Sequence, residues 1–276
     1  MSEATLLLEA CNVAKRFDSV VALKAASLRV RPGEVHGLMG ANGAGKSTLV
    51  KIITGVFPAD GGQIAVKGVV RSFRSPAEAR RAGIVSVYQD PALVPDLTIA
   101  QNMRLAGASV DAVRTWLAEL GGVRVDFDLS VRDLPDPTLR LIDLARALSW
   151  EPAVLLLDEI TASLPADLSE QIYTMVKRWR ERGNAVIFIS HRMAEVSALC
   201  DRATVLRDGV TAGVIERAHG SEERILARGR DSPCGGVSNF DRRPSPKIGQ
   251  CTGSAGSTRP ALQSASQRCF VQTLSG

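Results

Sequence analysis

Long apolar runs are missing from this sequence. None approaches the length that carries a helix across a bilayer, and Leu6-Leu7-Leu8, close behind Met1-Ser2-Glu3, is too short for a signal-peptide core and has no basic flank. Both absences predict a cytosolic protein that reaches a membrane only through a partner. Cysteine is sparse and badly spaced for metal or redox work. Cys11, Cys200, Cys234, Cys251 and Cys269 include no C-x-x-C pair and no histidine at metal-ligand spacing, so a reducing compartment is the simpler expectation. Charge of one sign is also not dominant. A net charge of +5 tolerates nucleic acid or an anionic surface but requires neither. What remains is ordinary soluble composition, 45% hydrophobic and 23% charged over 276 residues, enough for one large domain or one domain with an appendage.

The most informative stretch is Gly40-Ala41-Asn42-Gly43-Ala44-Gly45-Lys46-Ser47-Thr48, which fits G-x-x-x-x-G-K-[ST]. Glycines at these positions let the backbone curl until successive N–H groups converge on one point, a geometry suited to phosphate oxygens. The stretch follows an apolar strand pattern, Glu34 to Met39, and precedes a helical one, Leu49, Val50, Ile52 and Ile53. Its anion would therefore face a helix N-terminus. Lys46 is placed to neutralise β- and γ-phosphates, and the Ser47 hydroxyl to ligate Mg²⁺.

Leu6 to Val13, Ala26 to Val30 and Gln63 to Val66 with Lys67-Gly68 read as an antiparallel β patch. Ile84 to Tyr88, Ala153 to Leu157 and Ala185 to Ile189 are nearly uninterrupted apolar runs, as expected of parallel strands buried on both faces. Helical patterns separate them, so the expected class is α/β. Between about 91 and 150 the pattern turns helical, with Val113, Trp116, Leu117 and Leu120 on one face and a second helix from Thr138 to Leu148. We read residues 1–218 as one nucleotide-binding domain carrying this helical insertion. Residues 219–276 shift to Ser, Gly, Arg and Pro and read as a disordered tail.

Carboxylates cluster where the strands end. Ala153 to Leu157 delivers Asp158 and Glu159 in the form of a Walker B strand, and a period of two sends adjacent side chains to opposite faces. Asp158 suits Mg²⁺, held through water, and Glu159 suits a general base for an attacking water. Gln89 and His191 each follow a parallel strand and reach the same edge, Gln89 toward metal or water and His191 toward a γ-phosphate. Each residue also has a plain structural reading: a glycine-rich turn, solvated acids, a loop glutamine, a satisfied histidine.

Together the loop at 40–48, Gln89, Asp158-Glu159, Thr161 to Leu164 and His191 resemble an ATP-binding cassette ATPase over residues 5 to about 215. Tyr88 to Asn102 and Ile189 to Glu195 are similar to ATPase subunits of bacterial monosaccharide importers. The resemblance implies a P-loop NTPase core with a mostly parallel sheet, an antiparallel β subdomain and an inserted helical subdomain. It implies ATP and Mg²⁺ as ligands, with Phe17 stacking on adenine, although Phe17 also reads as a side chain on a surface strand. It further implies a second cassette in a homo- or heterodimer with Thr161 to Leu164 at the seam. The remaining implied partners are a membrane permease subunit and, indirectly, an extracellular solute-binding protein. The location is then the cytoplasmic face of the membrane, and no nucleic acid is expected.

One element departs from the family. Its Leu-Ser-Gly-Gly-Gln signature corresponds here to Leu134-Pro135-Asp136-Pro137-Thr138. The two prolines have no N–H, and Asp136 sets a carboxylate where a phosphate would lie. Two readings follow: a sugar-importer ATPase, or a structural or regulatory cassette that binds ATP with little turnover. A cassette ATPase acting on nucleic acid ranks last. Importer ATPases of this kind commonly carry two cassettes, and too few residues follow His219 to encode another. Residues from about 228 are then either a natural flexible tail or the product of a shifted reading frame or truncation.

Overall fold

The computed structural model describes residues 6–216 apart from 122 and 163, and the tail expected at 219–276 lies outside these. In chain order the elements are β1 (Leu8–Phe17), β2 (Val20–Val30), β3 (Val35–Met39), α1 (Lys46–Ile53), β4 (Gly61–Val66), β5 (Val69–Arg71), α2 (Pro76–Arg81) and β6 (Ile84–Val87). They continue with α3 (Ile99–Ala106), α4 (Val110–Glu119), α5 (Asp136–Leu148), β7 (Val154–Asp158), α6 (Ala166–Glu181), β8 (Ala185–Ile189), α7 (Met193–Leu199), β9 (Arg202–Arg207) and β10 (Val210–Glu216). The strands join in the order β5-β4-β1-β2-β10-β9-β3-β8-β7-β6.

This sheet has two characters. From β9 through β3, β8 and β7 to β6 all neighbours are parallel, whereas β2, β1, β4 and β5 are antiparallel. The α/β expectation with an antiparallel patch therefore holds. Burial on both faces explains the apolar runs: Leu155, Leu157, Val186 and Phe188 pack with α4, α5 and α6, while Val154, Leu156, Ile187 and Ile189 pack on the face covered by α1. Helices α3, α4 and α5 leave from β6 and return to its parallel neighbour β7. Val113, Leu117 and Leu120 are buried there and Trp116 partly so, the face read from the sequence.

The first two strands run longer than their apolar patterns. Beyond Val13, β1 continues to Phe17 through register shifts. Asp60 secures the extension, taking a hydrogen bond from Lys15 Nζ at 2.7 Å and one from the Arg16 amide at 2.8 Å. Asp18, at φ 47°, then turns the chain directly into β2. Tertiary partners here outweigh local hydropathy.

At the amino end of β3 a polar group is buried without penalty because it is fully paired. His36, wholly inaccessible, donates from Nδ1 to Glu34 Oε1 at 2.7 Å, and its Nε2 lies 2.8 Å from Thr204 Oγ1 on β9. Arg202 adds a contact to Glu34 at 3.1 Å. Burial pushes the Glu34 carboxyl up, but His36, the Arg31 amide and Arg202 outweigh it and hold the group below its ordinary range.

Phe188 sits at the centre of the face beneath α6, edge-on to Tyr173. Phe188→Ala should cost about 3–5 kcal/mol of unfolding free energy, read as a lower urea midpoint at unchanged slope.

Candidate functional site

The loop after β3 is shaped by two glycines with different needs. A Cβ on Gly45, at φ 102°, would come within 2.5 Å of Leu23 Cδ2 and 2.9 Å of the Ala22 carbonyl, so packing forbids a side chain there. Gly43, at φ 81°, has nothing within 4 Å of where its Cβ would be, and it faces open space beside the exposed Asn42. Ala44 is buried, and its amide closes a turn onto the Ala41 carbonyl at 3.1 Å. Lys46, only 7% exposed, folds back so that Nζ donates to the Gly40 and Ala41 carbonyls at 2.8 and 3.2 Å. Ser47 is exposed and Thr48 half-buried at the start of α1. That helix has no side chain capping its N-terminus and no acid in its first turn. Its positive end is left for an outside anion.

Asp158 ends β7 on the same alternation as Val154 and Leu156, hence on the α1 face. Burial, then the neighbouring Glu159 charge, pushes its carboxyl up to about 6, against the lowering pull of Lys46 and Lys51. Its ordinary value is 3.8, so the ionised form opposes folding as pH rises through that window to about 6, and a nearby cation relieves the cost.

Glu159 is not separated from Asp158 by strand alternation, as the sequence suggested. The strand ends at Asp158, and Glu159 takes a left-handed conformation at φ 51° while its amide still reaches the Ile189 carbonyl at 3.0 Å. This turn carries its carboxylate to the loop after β8, where Oε1 lies 3.0 Å from His191 Nδ1. The imidazole is otherwise half exposed. Asp158, Glu159 and His191 therefore meet at one edge.

Gln89 stands just past β6 with its side chain exposed. Its carbonyl accepts a short hydrogen bond from Arg140 Nη1, and Arg140 Nε also donates to Asp136 Oδ2 at 2.9 Å. Asp136 is thus not simply a repulsive carboxylate: it opens α5 as the partner of a buried arginine that ties this helix to the Gln89 loop. Pro135 precedes it and provides no capping hydrogen bond, as its chemistry requires. Phe17, at the end of β1, pairs edge to face with Phe57, ring centroids 5.2 Å apart, and keeps one side open.

Thr161, expected with Leu164 at the seam with a second cassette, turns its side chain into its own chain. It is buried and donates its hydroxyl to Glu195 Oε1 at 3.1 Å. The sequence reading gave neither Arg140 nor Glu195 a role of its own. The signals were there, an acid and base four apart on α5 and an acid four residues after His191, but such pairs ordinarily decorate helix surfaces.

The description ABC transporter matches residues 23–162, just over half the chain. The chain belongs to the ABC transporter family. The cassette is 42% identical over 230 residues to a ribose import ATP-binding protein of Rubrobacter xylanophilus, covering 79% of this chain and 46% of the relative. It is 40% identical over 243 residues to one of Burkholderia cenocepacia, covering 82% and 47%. The chain thus spans about half the length of the curated relatives it matches. Among solved structures it resembles an ATP-binding cassette of an ABC transporter in its ADP conformation, at 26% identity and TM-score 0.68, covering 80% of this chain and 94% of that one. A nucleotide-free cassette at 24% identity, TM-score 0.70 and the same coverages agrees in fold.

Binding a divalent cation beside Asp158 should lower its pKa and, near pH 6, release about half a proton. Calorimetry of magnesium nucleotide in buffers of different ionisation enthalpy reads this release. Asp158→Asn should abolish it, and equal release from both proteins would assign the proton elsewhere.

Proposed function

We propose that this cassette, residues 1–218 with a helical subdomain at about 91–150, binds and hydrolyses ATP to drive uptake of a solute, a sugar by its likeness to ribose import proteins, through a separate membrane permease. The observation that carries the reading is the uncapped start of α1 behind the curled loop, opposite Asp158, Glu159 and His191 on neighbouring strand ends. The amides of the loop from Gly40 through Asn42, Gly43, Ala44 and Gly45, with Thr48 at the base of α1, would hold the phosphates, and Lys46 would leave its two carbonyl partners to meet them.

Among the described residues no three His, Cys, Asp or Glu side chains gather as a metal cage. A magnesium ion suits such a site, because it takes one carboxylate with substrate phosphates rather than a complete protein shell. Ser47, Gln89 and Asp158 would hold it, and its charge would offset that on the phosphates. Glu159 would draw a proton from water, with His191 on its Oε1 setting the carboxylate's orientation. Phe17 would offer its open face to adenine.

No described helix is long and apolar enough to cross a membrane, which suits a peripheral subunit on a permease's cytoplasmic side. A second cassette would complete the assembly, and a solute-binding protein outside the cell would select the solute. The proline-flanked start of α5 favours a second reading, a cassette that closes on ATP with little turnover of its own.

Two substitutions separate these readings. Lys46→Ala should weaken Mg-ATP binding by about 10- to 100-fold in calorimetry, as loss of a charged hydrogen-bond donor. Glu159→Gln should leave binding intact and lower phosphate release by about 100-fold or more when permease is present. Binding without phosphate release from the unmodified protein would favour the second reading. Absence of Mg-ATP binding would overturn both.

A further inference from the structure

One carboxylate fastens the turn after β7 to the turn after β8. Glu195, in the first turn of α7, is largely buried. Its Oε1 accepts from Thr161 Oγ1 at 3.1 Å and from Arg192 Nη1 at 3.2 Å, and its Oε2 from Ser190 Oγ at 2.5 Å. Ser190 Oγ in turn accepts the Arg192 amide at 3.0 Å, closing the backbone around His191. The Arg192 side chain crosses the gap a second time, donating from Nη2 to the Ala162 carbonyl at 3.1 Å. From α6 the Tyr173 hydroxyl joins Thr161 and Glu195, and burial, then the Glu195 charge, pushes it up to about 12.

Thr161 and Ser190 are themselves buried, so neither hydroxyl has water in reserve if Glu195 is removed. His191 lies between Ser190 and Arg192, and Glu159 lies two residues before Thr161. The imidazole is half exposed and bonded to Glu159. Its place is therefore set by its backbone turn far more than by packing.

We propose that Glu195 is a positioning residue that locks these two turns together, fixes the Glu159 to His191 separation, and transmits any displacement of the 161–164 segment to His191. This rests on the reading of Glu159 and His191 as the hydrolytic pair.

The test uses the full chain, alone and assembled with its permease, as the unmodified protein, Glu195→Ala and Glu195→Gln. In Glu195→Ala, amide exchange at 159–164 and at 190–194 should rise together by about tenfold or more. Mg-ATP affinity should change by less than about threefold. In the assembly kcat should fall by about 10- to 100-fold with KM nearly constant, as for misplaced reacting groups. Glu195→Gln, which keeps one acceptor oxygen, should restore part of both protection and rate, and it carries the test if the alanine variant does not fold. Faster exchange confined to 190–194, or an unchanged kcat, overturns the proposal. If the unmodified protein binds Mg-ATP but releases no phosphate, the hydrolytic reading fails separately, and joint or separate loosening of the two segments then decides the clamp.

Discussion

Burial of the central strands on both faces is the constraint from which the site follows. Along β7 and β8 every side chain before the terminal Asp158 is apolar and inaccessible, because helices cover both surfaces of the sheet. An unpaired charge within these strands would face several kcal/mol of desolvation. Polar chemistry is therefore displaced to the edge where the strands stop. Parallel neighbours stop on the same side, so the loop after β3, the acid pair after β7, His191 after β8 and Gln89 after β6 become neighbours without contact in sequence.

That logic also decides how much could be read beforehand. The strands buried on both faces announced themselves as unbroken apolar runs, and β8 matches its expected limits, Ala185 to Ile189. The loop of 40–48 was legible because its glycines are demanded by backbone geometry, which composition records directly. Less was visible where partners distant in sequence intervene. The extension of β1 depends on Asp60, more than forty residues away, and no pattern local to Lys15 or Arg16 encodes it. Glu159 offered no glycine to betray its left-handed backbone, since the strain is met by its ladder hydrogen bond to Ile189 and its contact with His191. The inward turn of Thr161 was not legible either, because its acceptor Glu195 lies more than thirty residues away.

The start of α5 puts its prolines and acid to structural use. Pro135, Asp136 and Pro137 stand at this point, and the proline geometry launches a thirteen-residue helix. Asp136 then engages Arg140, whose guanidinium reaches the Gln89 carbonyl, while Asp143 and Arg146 grip the next part of the same loop through the Ala92 amide and carbonyl. The helical excursion and the glutamine loop are thus joined at two levels of one helix. Movement of either carries the other along.

The fully enclosed imidazole of His36 has a bearing on all of this. Both its nitrogens are committed, one to Glu34 just ahead of β3 and the other across to Thr204 on β9. Sliding β3 by a single residue would swing the ring to the opposite side of the sheet and strip the imidazole of both its partners. The strand is thereby pinned like a ruler at its zero mark, and the height at which Gly40 emerges is measured from that far end. Accuracy at the rim of the candidate site is, in this sense, a property of the basement.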